Sequence, residues 1–283
     1  MPEQNEIIEK KELAPRIKEL VVYAPFIARS AKPGQFVMVV PHEKGERIPL
    51  TLVDWSEGEG WIKLVFLEVG VSTIRLGKLE EGDKVFHIAG PLGNPSVTER
   101  YGTAALIGGG VANAALYPIA RVLRSKGNEV VAVIGARTAS MLIYERELRE
   151  VCSEVHVATD DGSVGFRGFV SQLLDSLVQS DYRFDVAWII GPAPMMKACT
   201  EVTKRHGIRA YASLNPLMVC GIGMCGTCRV TVSGRVRFAC LEGPEFDAHE
   251  VDWDELISRL NTYREEERLS LDLLYKGLEV EAE

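Results

Sequence analysis

The spacing of apolar residues changes character once along the chain. Over roughly the first hundred residues, short runs rich in Val and Ile alternate with polar turns. Six of them predict strands: Ile7–Leu13, Ile17–Tyr23, Phe36–Val40, Ile48–Asp54, Trp61–Leu67 and Lys84–Ile88. Turn signals such as Lys32-Pro33-Gly34 and Glu57-Gly58-Glu59-Gly60 punctuate them. Strands this short and this closely spaced predict a small closed β-barrel.

Beyond Gly90-Pro91-Leu92-Gly93-Asn94-Pro95, buried strands alternate with helical stretches. Ala104–Ile107 leads through Gly108-Gly109-Gly110 into a helix over Ala112–Ser125. Strand Val130–Ile134, helix Ile143–Val151 and strand Val155–Ala158 follow. A helix at Phe169–Val178 precedes strand Val186–Ile190, and one at Pro194–His206 precedes strand Arg209–Ser213. This alternation predicts a doubly wound α/β domain with a parallel sheet. After Leu214-Asn215-Pro216 comes a cysteine-rich segment whose interior, Val230–Val232 and Arg235–Phe238 around Ser233-Gly234, reads as a tight hairpin. The remainder is acidic and then helical, with Leu256, Leu260, Leu269, Leu271 and Leu274 as its apolar positions. The expected division is 1–98 (barrel), 99–213 (α/β domain), 214–245 (cysteine segment) and 246–283 (acidic helical tail).

Composition narrows the class. The 283 residues are 46% hydrophobic and 25% charged, the balance of a folded domain pair. A net charge of −8 argues against nucleic acid or an anionic membrane as partner. No apolar run reaches the ~18 residues of a membrane span, and Met1 to Lys11 lacks the layout of a signal peptide. The expected location is the cytoplasm.

In such a reducing compartment, clustered cysteines read as a metal site before they read as disulfides. Four of the six fall in the run Cys220-x4-Cys225-x2-Cys228-x11-Cys240. The first three match the C-x4-C-x2-C spacing of plant-type [2Fe–2S] proteins, whose fourth ligand arrives from elsewhere. Thiolates suit the task because they are soft anionic ligands. The small residues between them, Gly221, Gly223 and Gly226 among others, let the backbone wrap closely and aim N–H groups at sulfur. A structural zinc site is the other reading, although zinc sites usually have two C-x2-C knuckles and this segment has one. Cys152 and Cys199, on apolar faces of predicted helices, read as buried structural thiols.

Three loops are expected at the carboxyl ends of the parallel strands, where such sheets bind ligands: Gly108-Gly109-Gly110, Asp160-Asp161-Gly162 and Gly191-Pro192-Ala193-Pro194-Met195. The first joins a buried strand to a helix N-terminus and is suited to a pyrophosphate. In the barrel, Arg47-Ile48-Pro49-Leu50-Thr51 offers a guanidinium for phosphate and a hydroxyl for a flavin ring. The segment Phe66-Leu67-Glu68 followed by Val69-Gly70-Val71-Ser72-Thr73 ends a strand with two hydroxyls before a helix. Arg137, after Val130–Ile134, could meet a 2′-phosphate and leaves NADP(H) open beside NAD(H).

The order of these pieces resembles the ferredoxin–NADP reductase superfamily: a barrel with Arg-x-Pro-Leu-Thr and Gly-Val-Ser-Thr, a GGG-type nucleotide domain, a late Gly-Pro-x-x-Met. The C-terminal Cys-Gly-Ile-Gly-Met-Cys-Gly-Thr-Cys run looks like the small flavin subunit of NADH-dependent ferredoxin:NADP oxidoreductases, also called a sulfide dehydrogenase subunit. The electron-transfer subunit of dihydroorotate dehydrogenase has the same layout. The run Leu241-Glu242-Gly243-Pro244-Glu245-Phe246-Asp247 favours the former.

The resemblance implies FAD near Arg47, Pro49, Leu50 and Thr51, with Phe66, Leu67, Glu68, Ser72 and Thr73 around the rest. It implies NAD(H) on Gly108, Gly109, Gly110, Asp160, Asp161, Gly162, Gly191, Pro192 and Met195, and a cluster on Cys220, Cys225, Cys228 and Cys240. It further implies a larger flavin and iron–sulfur partner subunit that bifurcates electrons, with ferredoxin reached indirectly. Leu50 departs from the aromatic that many superfamily members place in this flavin motif.

Overall fold

A computed structural model describes residues 2–180 and 182–277. The end of the acidic tail, 278–283, lies outside the described residues, as does the first residue.

The amino-terminal domain is a six-stranded antiparallel sheet: β1 (Ile7–Ala14), β2 (Ile17–Tyr23), β3 (Phe36–Val40), β4 (Ile48–Ser56), β5 (Trp61–Leu67) and β6 (His87–Leu92), in the order β1-β2-β5-β4-β3-β6. Short helices α1 (Pro25–Ala28) and α2 (Val71–Gly77) fill its ends. A bridge between Glu6 and Lys84, with Ile7 N–H donating to Asp83 O at 2.9 Å, brings the chain before β6 back to β1 and closes the barrel. Alternation along the strands sends Leu20, Val22, Val37, Val39, Leu50, Leu52, Ile62, Leu64 and Phe66 into one apolar interior.

The sixth strand is displaced from its expected place at Lys84–Ile88. It begins at His87 and runs through Gly90-Pro91. Proline is tolerated there because β6 pairs along its length only with β3.

The second domain is built from β7 (Thr103–Gly109), β8 (Glu129–Ala136), β9 (Glu154–Thr159), β10 (Phe166–Arg167), β11 (Val186–Ile190) and β12 (Arg209–Ser213), all parallel. Helices α3 (Asn113–Ser125) and α4 (Glu145–Val151) cover one face, and α5 (Val170–Gln179) and α6 (Ala193–Arg205) the other. The cysteine segment then contributes hairpin β13 (Arg229–Val232) and β14 (Arg235–Phe238), followed by α7 (Ala239–Glu242). The chain next adds β15 (Glu245–Asp247), antiparallel to β12, at the far edge of the parallel sheet. The seven-stranded order is therefore β10-β9-β8-β7-β11-β12-β15. An expected domain limit at 245/246 falls inside this short strand.

The tail divides in two. Helix α8 (Trp253–Leu260) buries Trp253 and Leu256 against the nucleotide-domain core, and its Arg259 donates to Thr227 O at 3.1 Å. Helix α9 (Arg264–Tyr275) buries no residue and packs beside α2. One core runs through all three parts of the site: Phe36 and Met38 of the barrel, Ile107 and Ile189 of the parallel sheet, and Cys228 and Cys240 share it. Burying one Met or Leu side chain fully contributes roughly 1.5–3 kcal/mol, so this continuity holds the modules together.

Candidate functional site: a thiol cluster beside the barrel and a nucleotide-binding edge

The four cysteines of the spacing motif come together as two pairs. Cys228 and Cys240 are each 1% exposed, and their sulfurs lie 3.2 Å apart. Cys220 is half-buried and Cys225 exposed; Cys225 N–H donates to Cys220 Sγ at 3.4 Å. Gly221, Gly223 and Gly226 all hold positive φ, near +70°. That conformation costs L-residues energy and lets the loop turn its amides inward. Gly223 N–H accordingly donates to Cys240 Sγ at 3.1 Å. Hydrogen bonds from Thr227, side chain first, push the Cys225 thiol down to about 6. Burial pushes Cys240 up to about 12, helped by its Cys228 neighbour.

Among the described residues, no three His, Cys, Asp or Glu side chains converge on a single ion position. Two separate thiol pairs suit a two-iron unit, in which each iron takes two thiolates, better than one tetrahedral zinc. Val219, Ile222, Met224 and Leu241, between 50% and 80% exposed, form an apolar rim around the outer pair.

The cysteine loop leans on the barrel. A Cβ on Gly221 would stand 2.6 Å from Met38 Cγ and 3.1 Å from Leu92 Cδ1, so only glycine permits the approach. Met38 is the cross-strand partner of Pro49, and Phe36 that of Thr51. The loop therefore touches the strand neighbouring the Arg47–Thr51 motif. Asn94 strengthens the join, its N–H donating to Gly243 O at 2.7 Å and its Nδ2 to Leu241 O at 3.0 Å.

Within that motif Arg47 is exposed, and Pro49 and Thr51 are half-buried on the strand face opposite Leu50. Leu50, 9% exposed, and Phe66, 2% exposed, belong to the barrel interior, which leaves their backbone as the part a ligand could meet. This accounts for the missing aromatic at position 50, because an inward position calls for a compact aliphatic side chain. Leu67 packs toward the nucleotide domain, and Glu68 lies over Gly77 at the end of α2.

Thr73 Oγ1 accepts from the N–H groups of Val69 (3.0 Å) and Gly70 (3.1 Å), capping α2 from within. Ser72 Oγ donates to Glu46 Oε2 at 2.9 Å, and Arg75 Nη1 donates to His42 Nε2 at 2.8 Å. These two contacts join the Arg47 and Ser72 segments, 25 positions apart in sequence. Nothing in the spacing of His42, Glu46 or Arg75 signals that role, which depends on how the β3–β4 connection folds over α2.

In the parallel sheet, strand order reverses between β7 and β11, the position at which such sheets open a ligand crevice. Gly108, Gly109 and Gly110 (φ +62°) leave β7 there, and Gly191 and Pro192 leave β11. Met195 sits between them: a Cβ would fall 2.3 Å from its Sδ at Gly109 and 2.9 Å at Gly191. Asn113, fully buried at the start of α3, donates from Nδ2 to Gly135 O at 3.2 Å, while its Oδ1 has no partner among the described residues. The Asp160-Asp161-Gly162 loop lies two strands away at the end of β9. Its Asp161 N–H donates to Arg137 O at 3.2 Å, and hydrogen bonds from Ser163, side chain first, hold the Asp161 carboxyl below its ordinary range.

An antiparallel barrel joined to a parallel nucleotide-type sheet, followed by a paired-thiol segment, defines an iron–sulfur member of the ferredoxin-reductase-like class. Residues 215–252 match the iron–sulfur cluster binding domain of dihydroorotate dehydrogenase B. Over 96% of both chains, the protein is 47% identical to the Thermotoga maritima homolog of the dihydroorotate dehydrogenase B (NAD(+)) electron transfer subunit. The Geobacillus thermodenitrificans electron transfer subunit is 33% identical over 88% of this chain and 98% of its own length. A solved chain of NADH-dependent reduced ferredoxin-NADP oxidoreductase, described in a study of flavin-based electron bifurcation, superposes with a TM-score of 0.92. It is 45% identical and covers 97% of this chain and 99% of its own. The chain belongs to the family of dihydroorotate dehydrogenase B-type electron transfer subunits. Phthalate dioxygenase reductase, at 15% identity and a TM-score of 0.59, shares the fold.

Proposed function

We propose that this chain is the nicotinamide-side arm of an NADH-dependent ferredoxin:NADP oxidoreductase, carrying FAD on the barrel and a [2Fe–2S] cluster on Cys220, Cys225, Cys228 and Cys240. The observation that carries the reading is the seating of the cysteine loop on Met38, the strand neighbour of Pro49. A flavin accepts a hydride as an electron pair and releases electrons singly, and an iron–sulfur cluster passes them on one at a time.

On this reading Arg47 grips phosphate, and Pro49 and Thr51 face the ring. Ser72 and Thr73 exchange their present partners for the pyrophosphate. Gly108–Gly110 and Gly191–Met195 receive NAD(H) at the switch point, with the Met195 thioether filling the notch between them. Because Met38 packs against Gly221 and pairs with Pro49, the residues that would hold the flavin and those that would hold the cluster are neighbours in one packed layer. The exposed apolar rim of Val219, Ile222, Met224 and Leu241 is where a larger flavin and iron–sulfur subunit would dock, in the cytoplasm, with ferredoxin reached through that subunit. Among the described residues no helix is long and apolar enough to cross a membrane.

The purified chain should show flavin and iron–sulfur absorption and should oxidise NADH with artificial acceptors. It should not reduce ferredoxin or NADP without its partner. Ferredoxin-linked turnover by the single chain would overturn the partner assignment. The match of residues 215–252 and the Geobacillus relative favour a second reading, the electron-transfer arm of a dihydroorotate dehydrogenase. The identity of the co-purifying subunit separates the two.

A further inference from the structure

The two helices of the tail are held very differently, and the second reaches back to the barrel. Helix α8 is fastened several times over. Asp252 caps it by accepting from Glu255 N–H at 2.9 Å, Trp253 Nε1 donates to Ala248 O at 3.1 Å, and Lys197 pairs with Asp254 at 2.7 Å. Its Arg259 reaches Thr227 O, between Cys225 and Cys228. Beyond the turn at 261–263, helix α9 buries no residue. Its covered positions are Leu271, Leu273 and Leu274, each half-buried, whereas Leu269 is 59% exposed and Tyr275 70%. The helix it packs beside is α2.

Helix α2 needs such a neighbour. It is seven residues long, and an isolated helix shorter than ~12–15 residues is marginal in water. The barrel holds one side of it through Leu76, which is fully buried. Val71 and Ile74 remain half-buried, and the first turn carries Ser72 and Thr73. The tail therefore runs from the cysteine loop, where α8 is tied, to the helix that bears these two hydroxyls. Three half-covered leucines make a contact that opens at far lower cost than the core beneath it.

We propose that α9 is a strap on the flavin site: docked, it braces α2 around the flavin phosphates, and swung away about residues 261–263 it lets the flavin leave. The proposal rests on the reading that Ser72 and Thr73 meet the flavin. Coupling of this kind is reciprocal. If the docked strap favours bound flavin, bound flavin favours the docked strap by the same factor.

Two measurements on the full-length chain test this. Release of FAD after dilution, followed by the fluorescence of free flavin, should be about tenfold faster in the double variant Leu271→Ser/Leu274→Ser, within the usual range of coupling between sites. In the unmodified chain, trypsin should cut after Arg264 and Arg268, both exposed on α9, about tenfold more slowly with FAD bound than without. Cleavage of this kind follows the population of the open form, so FAD should give the double variant no such protection. Flavin release from the variant at the parent rate, or equal cleavage of the parent with and without FAD, would overturn the strap and leave the flavin assignment standing. A parent chain that takes up no FAD would overturn the functional reading, and the strap with it.

Discussion

The two thiol pairs of the cysteine segment sit in contrasting surroundings. Cys228 and Cys240 are part of the core that joins barrel, parallel sheet and tail, whereas Cys220 and Cys225 ride on a glycine turn at the surface. The proposed ligand set thus has an anchored half and an accessible half. The anchored half fixes where a cluster sits relative to the barrel. On the proposed ligation the accessible half would be the side from which electrons leave, and there the exposed apolar side chains gather.

The largest effect expected from this contrast is a split between two serine variants. Cys240→Ser and Cys225→Ser should both abolish the iron–sulfur absorption. In iron-free protein, Cys240→Ser should also lower urea stability by about 1–3 kcal/mol, because it places a hydroxyl in a buried apolar position. Cys225→Ser should leave stability within ~0.5 kcal/mol of the parent, as exposed substitutions do. Coincident urea midpoints would erase the distinction between the pairs.

A second test sits on the anchored side. Glu245 follows Cys240 by five residues, accepts from Ser96 Oγ at 2.5 Å and from Trp188 Nε1 at 3.2 Å, and is pushed up to about 7 by burial. Its folded value lies above its unfolded one, so between about pH 4.5 and 7 the folded chain holds more protons. Stability contributed by the neutral carboxyl is therefore lost as pH rises through that window. Glu245→Gln should be more stable than the parent at pH 8, by up to ~2 kcal/mol, and indistinguishable from it at pH 4.5. Melting temperatures at the two pH values check this; a difference that does not depend on pH would refute it.

The smallest effect probes the accessible side. Arg259→Ala removes the hydrogen bond from α8 to Thr227 O. A loss of about 1 kcal/mol should show as several-fold faster removal of iron by a chelator. Unfolding of the iron-free chain should lose no more than that ~1 kcal/mol, since Trp253 and Leu256 keep α8 in place. Unchanged chelation kinetics would mean that the outer turn holds itself.

That the four cysteines come together in two pairs was legible in the sequence because they are local and closely spaced. The strand–helix alternation was legible for a similar reason, since each strand and helix carries its own apolar pattern. What escaped the sequence depends on distant partners. Strand β15 has three residues behind a proline and no period to reveal it; it exists because β12 offers an edge. The contacts of Glu46 with Ser72 and of His42 with Arg75 arise only when the β3–β4 connection meets α2. Leu50 reads as a ligand position within its motif, yet Val37 across the strand pair places it in the barrel interior. The tail leucines looked alike in the sequence. The structure separates them, with Leu256 in the core and Leu269 exposed on a helix that buries nothing.

The parallel sheet also has few free ends. At one edge β10 is two residues long, and at the other the three-residue β15 lies antiparallel against β12. An uncovered strand is a row of unpaired amides and carbonyls that any other extended chain can extend. With both outer strands this short, the parallel sheet offers little backbone to a passing polypeptide. Association at this sheet must then be decided by side chains, whose fit differs from one protein surface to the next. Copies of the chain can therefore meet at high concentration without extending this parallel sheet from one to the next.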